Sequence, residues 1–131
     1  MAKILIVEDS PSIQKVYQTV LTHEGYDVIS AVDGKEALSL ALNSSPDLIL
    51  LDLLMAKMGG LEFLRTFDLA KHPGTKAIVF SNLASSELID EAKELGATRY
   101  LMKSNFTPRE LLDAVKAALA EANPVGSNPA A

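Results

Sequence analysis

Four apolar runs in this chain each end in residues able to bind or transfer charge. Residues 4–7 lead into Glu8 and Asp9, 48–51 into Asp52, 77–80 into Ser81, and 100–102 into Lys103. If these runs are parallel strands of one sheet, three carboxylates, a hydroxyl and an ammonium converge on a single edge, which is where open parallel sheets bind their ligands. Three carboxylates held together repel, at about 4 kcal/mol per pair for a separation of about 4 Å and an effective dielectric near 20. A divalent cation relieves that repulsion, and a site of few carboxylates with open positions suits Mg2+, which keeps several waters and takes phosphate oxygens. One Asp52 oxygen can then hold the metal while the other attacks phosphorus in line, forming an acyl phosphate. Lys103 would neutralise phosphoryl oxygens from the opposite side, and Ser81 would donate a hydrogen bond to one of them. Each residue alone has a plain structural role open to it: an Asp after a strand is commonly a turn former or a helix cap, a Ser a capping hydroxyl, a Lys a solvated charge. It is their joint occurrence at four strand ends that points to the chemistry.

The elements that must position these groups alternate strand and helix five times. Residues 4–7, 27–31, 48–51, 77–80 and 99–102 read as strands, the first and third as continuous apolar runs expected of strands buried on both faces. Ser10 caps a first helix with Pro11 at its first position and Gly25 at its end. Asp33 and Glu36 form a capping box for a second helix that stops over residues 43–46. Gly59 and Gly60 are expected to adopt backbone angles closed to other residues, ahead of a third helix over 61–69. Ser85 and Ser86 cap a fourth helix that runs to about Leu95 and stops at Gly96. Thr107, Pro108 and Glu110 form a second capping box for a fifth helix that ends near Ala122. Right-handed crossovers then give a doubly wound α/β sheet of flavodoxin-like order 2-1-3-4-5, whose switch point makes Glu8, Asp9 and Asp52 neighbours.

Bulk composition narrows the function classes. The chain has 131 residues, a formal charge of -5 and no cysteine. That length is one domain with a real core, expected over residues 1–122, with 123–131 as a flexible tail or linker stub. The acidic balance argues against nucleic-acid binding, which rests on Lys and Arg patches. Without cysteine, disulfides and thiolate metal sites are excluded. No signal-peptide core and no stretch near the roughly 20 residues needed to span a bilayer is present, so the expectation is a cytoplasmic protein with no membrane partner.

With these residues in view, the chain resembles the receiver domain of two-component response regulators, of the CheY type, over roughly residues 3–122. The matching features are Glu8-Asp9, the segment Asp52-Leu-Leu-Met55-Ala-Lys-Met58-Gly-Gly60, Ser81 and Lys103, in family order and at family-like spacing. The resemblance implies a signalling phosphoacceptor, not a turnover enzyme, whose Asp52 takes a phosphoryl group from a histidine kinase or histidine phosphotransfer protein. It implies Mg2+ on Asp9, Asp52 and the main-chain carbonyl of Leu54, with Glu8 acting through a bound water. Tyr100 falls where the family has its switch aromatic. It would turn inward as Ser81 moves toward the phosphoryl group, reshaping the face read by a downstream effector protein.

Departures from the family pattern carry expectations of their own. Ser104 replaces the usual Pro after the lysine, and since a cis bond before a non-proline costs about 2.5 to 4 kcal/mol, either a trans bond with a shifted loop or a strained cis bond is expected. Ala56 replaces a common Pro, and Asn82 a small residue. Leu54 and Leu83 can neither orient nor hydrogen-bond a hydrolytic water, which implies slow self-dephosphorylation. With Ile89 and Phe106 they could also form an apolar partner patch. His23, His72, Met55 and Met58 are assigned no chemistry. Competing readings are an FMN-binding flavodoxin, which lacks here its phosphate loop and a stacking Trp, and an aspartyl phosphatase, which lacks a second Asp two residues after Asp52. A receiver-fold interaction module that signals without phosphate is the third. A monomer is expected.

Overall fold

The computed structural model describes residues 2–53, 58–80, 86–102 and 107–120. Five parallel strands, β1 (Lys3–Val7), β2 (Asp27–Ala31), β3 (Leu48–Asp52), β4 (Lys76–Phe80) and β5 (Arg99–Leu101), form one sheet in the order 2-1-3-4-5. The helices between and after them are α1 (Pro11–His23), α2 (Gly34–Ser44), α3 (Gly60–Phe67), α4 (Ser86–Glu94) and α5 (Pro108–Ala120). This is the doubly wound arrangement that the alternation predicts.

The central strands are apolar on both faces because both faces are covered. Leu5, Val7, Ile49, Leu51, Ala77 and Val79 meet Ala37 and Ala41 of α2, Phe63, Leu64 and Phe67 of α3, and Ala92 of α4. On the opposite face Ile4, Ile6, Leu48, Leu50, Ile78 and Phe80 meet Tyr17 and Leu21 of α1 and Leu111, Leu112, Val115 and Ala118 of α5. Alternate residues of each strand thus serve two separate core layers, and this fixes the register that carries the polar strand ends to one edge.

The caps follow the sequence closely, with informative exceptions. Ser10 accepts from the Ile13 amide at the start of α1. At α5 the capping box is reciprocal: Glu110 N donates to Thr107 Oγ1 at 3.2 Å and Thr107 N donates to Glu110 Oε1 at 2.7 Å. At α2, Asp33 Oδ1 accepts from Glu36 N at 2.9 Å, but Glu36 Oε1 accepts from Val32 N instead of from the capping residue. The third helix stops at Phe67, because Asp68 is left-handed with φ 62° and a 3-10 turn (Leu69–Lys71) follows. The apolar periodicity runs past that stop because Leu69 is itself buried, delivered to the core by the turn. The fifth strand ends at Leu101, not Met102, since its last ladder partner is Phe80, the final residue of β4.

Gly59 and Gly60 correct the sequence reading. Gly59 has φ -75° and ψ 173°, open to any residue, and the only glycines with positive φ among the described residues are Gly25 and Gly96. The need at Gly60 is space: a Cβ there would lie 2.7 Å from Asp52 O and 2.8 Å from Leu53 Cα. Gly34 does the same for α2, where a Cβ would lie 2.4 Å from Met58 O, the acceptor of the Gly34 amide at 3.0 Å.

Candidate functional site

The carboxylates come together at the carboxyl ends of β1 and β3. Val7 pairs with Leu51, so Glu8 and Asp52, the next residue of each strand, stand side by side. One carboxylate oxygen from each of Glu8, Asp9 and Asp52 lies within 4.8 Å of the others. Glu8 and Asp52 are 1% and 3% exposed, whereas Asp9 faces solvent. The burial comes from the strands, and the exposure of Asp9 leaves a side open to water and to an incoming ligand.

The surrounding hydrogen bonds hold this edge in shape. Glu8 N donates to Ala31 O at 3.0 Å, continuing the sheet by one rung, and Glu8 Oε2 accepts from Ser10 N at 3.0 Å. On the Asp52 side, the N-terminus of α3 is seated directly against the strand end, with Gly60 N donating to Leu53 O at 3.3 Å. Gln14 of α1 was not picked out by the sequence reading: its Nε2 donates to Glu8 O at 2.8 Å and to Ala31 O at 2.7 Å. No motif marks such a residue, although a Gln in the sheet-facing half of a helix was a signal of a kind.

The remaining predicted residues divide into two sets. Leu54, Ser81 and Lys103 lie outside the described residues, as do Asn82, Leu83, Ser104, Phe106 and the 123–131 segment. Phe80, which immediately precedes Ser81, pairs with Asp52 across the β3–β4 ladder. Its ring meets the Tyr17 ring edge-on at 5.4 Å. Tyr100 is half-buried on β5 and packs against the core layer beneath α2, α3 and α4. Ile89 is half-buried on α4. His23 sits at the end of α1, and His72 stacks on Phe67 with ring centroids 4.0 Å apart; neither belongs to the carboxylate cluster. Met58 packs beside the core as loop filling.

The donor set suits a hard divalent cation. It is all oxygen, three carboxylates of which two are buried, and it carries more negative charge than an unneutralised buried edge holds cheaply. An open parallel sheet of order 2-1-3-4-5 with an acidic nest at its switch point defines a doubly wound α/β domain of the flavodoxin-like class, built to bind a ligand at that edge. Residues 4–116 match the family model described as the response regulator receiver domain. The chain belongs to that family, and so is a receiver domain of two-component response regulators.

Relatives and solved structures agree. The chain is 41% identical over 122 residues to the alkaline phosphatase synthesis transcriptional regulatory protein PhoP of Bacillus subtilis, covering 89% of this chain and 48% of that one. It is 35% identical over 114 residues to sporulation initiation phosphotransferase F of the same organism, covering 87% of this chain and 90% of that one. Among structures, the chemotaxis protein CheY4 of Vibrio cholerae superimposes with a TM-score of 0.82 at 35% identity, covering 90% of this chain and 98% of that one. The chain spans about half the length of several curated relatives it matches, 51% and 48% for two of them. Among the described residues no helix is long and apolar enough to cross a membrane.

Proposed function

We propose that this receiver domain is a phosphoacceptor: Asp52 takes a phosphoryl group, with Mg2+ held by Asp9, Asp52 and the main-chain carbonyl of Leu54, and by Glu8 through a bound water. The observation that carries the reading is the convergence of three carboxylate oxygens within 4.8 Å at the ends of adjacent strands. Such crowding is costly unless it serves to collect a cation. When bound, the cation supplies neutralisation of the carboxylates and of the incoming phosphoryl oxygens.

The chain's own residues do the rest. A phosphohistidine of a kinase or phosphotransfer protein presents its phosphorus, and one Asp52 oxygen attacks in line. The new O–P bond forms as the P–N bond breaks, and the imidazole leaves with the electron pair. Burial of Asp52 and Glu8 leaves the exposed Asp9 side as the approach for the phosphoryl group. Lys103 and Ser81 serve the phosphoryl oxygens, and Ser81 couples that contact to Tyr100. The Tyr100 ring, half-buried against the α4 side of the core, shifts between two populated positions and so alters the face seen by an effector protein. The domain acts as a cytoplasmic monomer that stores a covalent mark and is not itself a turnover enzyme. Tyr100→Ala is expected to weaken effector binding while Asp52 phosphorylation continues, and equal binding by variant and wild type speaks against the switch.

The decisive test is incubation with acetyl phosphate and Mg2+ followed by intact mass measurement. A gain of one phosphoryl group that disappears in Asp52→Asn, and disappears on chelation, is expected. An unchanged wild-type mass would leave a receiver-fold module that binds its partners without phosphate.

A further inference from the structure

We infer that Gln14 is a positioning residue for the cation site, acting through the main chain of Glu8 and Asp9; the inference rests on the phosphoacceptor reading above. The two N–H bonds of one side-chain amide are both committed, to Glu8 O at 2.8 Å and to Ala31 O at 2.7 Å. Ala31 is the last residue of β2 and Glu8 the first beyond β1, just past the Val7–Ala31 pair at which the ladder ends. Beyond that point β2 has turned away toward α2, and the Val32 amide goes to Glu36 Oε1. Ala31 O already accepts from Glu8 N, so it is at Glu8 O that the Gln14 amide stands where a further strand residue would have donated, adding one rung made from a side chain.

That rung matters because of which peptide it holds. Glu8 O belongs to the peptide unit joining Glu8 to Asp9, so fixing this oxygen fixes the plane from which the Asp9 side chain departs. The same turn is held on its other side by Ser10 N on Glu8 Oε2 at 3.0 Å, and by Gln14 N on Ser10 O at 3.0 Å. Gln14 thus grips the acidic turn with its backbone and its side chain together. Asp9 faces solvent and lacks the strand packing that locks Asp52, so its aim depends on this turn. Outer groups that orient ligands in this way typically contribute 10 to 100-fold to metal affinity.

A second amide on the same helix provides the control. Gln18, one turn along α1, donates from Nε2 to Ser30 Oγ, also bridging α1 to β2 but away from the carboxylates. Gln14→Met and Gln18→Met each remove one amide while keeping side-chain length, so both are expected to fold with similar small losses of stability. On the full chain, Mg2+ affinity by calorimetric titration is expected to fall about tenfold in Gln14→Met and to stay within about twofold of wild type in Gln18→Met. At saturating Mg2+, phosphoryl uptake by Gln14→Met returns to near the wild-type rate, a pattern that general loosening of the fold does not give. In metal-free protein, amide exchange at Asp9 and Ser10 quickens in Gln14→Met alone, a readout independent of any metal. Equal Mg2+ affinity in Gln14→Met and wild type, or equal weakening in both variants, overturns the inference while leaving the phosphoacceptor reading intact. A wild-type chain with no saturable Mg2+ binding overturns both.

Discussion

Replacing Gly60 by alanine sets two well-defined effects against each other. In an ordinary helix the change is favourable, by about 1 kcal/mol from helix propensity and the smaller entropy of the unfolded chain. Here the new methyl would stand 2.7 Å from Asp52 O and 2.8 Å from Leu53 Cα. Both are backbone atoms of a buried strand end, so neither can swing aside as a flexible side-chain tip would. Overpacking in such a place costs about 1 to 3 kcal/mol, and a clash with fixed backbone belongs at the upper end. The net expectation is a loss of about 1 to 2 kcal/mol, or roughly 3 to 8 °C in Tm for a domain of this size. Relief of the clash must displace the Asp52 peptide, so Mg2+ affinity falls in the same variant. Gly59→Ala is the matched control: its Cβ would find only Leu53 O, at 3.7 Å, and its φ of -75° is open to alanine. It should change stability by no more than about 0.5 kcal/mol. Thermal unfolding followed by circular dichroism compares the three proteins, and a Gly60→Ala chain melting at or above wild type would show that the α3 start has room for a methyl group.

Further outcomes follow from the same geometry. Asp52→Asn removes one of three carboxylates within 4.8 Å of one another, where each pair costs at least about 3.5 kcal/mol at an effective dielectric near 20. Allowing for solvent at Asp9, the metal-free variant should be more stable than wild type by about 1 to 2 kcal/mol in low salt, and a lower Tm contradicts this. Thr107→Ala removes the acceptor of the Glu110 amide at the start of α5 and should cost about 1 kcal/mol in urea unfolding; an unchanged midpoint argues against the cap. From the sequence alone, leucine side chains at positions 54 and 83 offer a hydrolytic water no hydrogen-bond partner, so phosphorylated protein with Mg2+ is expected to lose its phosphoryl group slowly, and a half-life of seconds is the contrary result.

Much of this was legible in the sequence because the signals are local. Strand ends are marked by a change from apolar to polar residues, as at Leu51 to Asp52, and strand order follows from handed crossovers, so the meeting of Glu8, Asp9 and Asp52 could be read before any coordinates. What escaped depends on contacts between distant segments. Gln14 reaches carbonyls on two strands, and no pattern in its own helix says so. Gly60 was expected to serve backbone freedom, but only the approach of α3 to the end of β3 reveals that it serves space. Leu69 prolonged the helical periodicity while reaching the core from a 3-10 turn, since burial and helix are separate facts that share one pattern. Glu36 bonds Val32 and not its own cap, a choice set by the path of the chain leaving β2.

On the phosphoacceptor reading, the acidic edge gathers a cation beside Asp52. Calorimetric titration of Mg2+ into the metal-free chain tests it most directly. One saturable site per chain is expected, lost in Asp9→Asn and in Asp52→Asn. A response that never saturates, or an affinity untouched by either substitution, would contradict it.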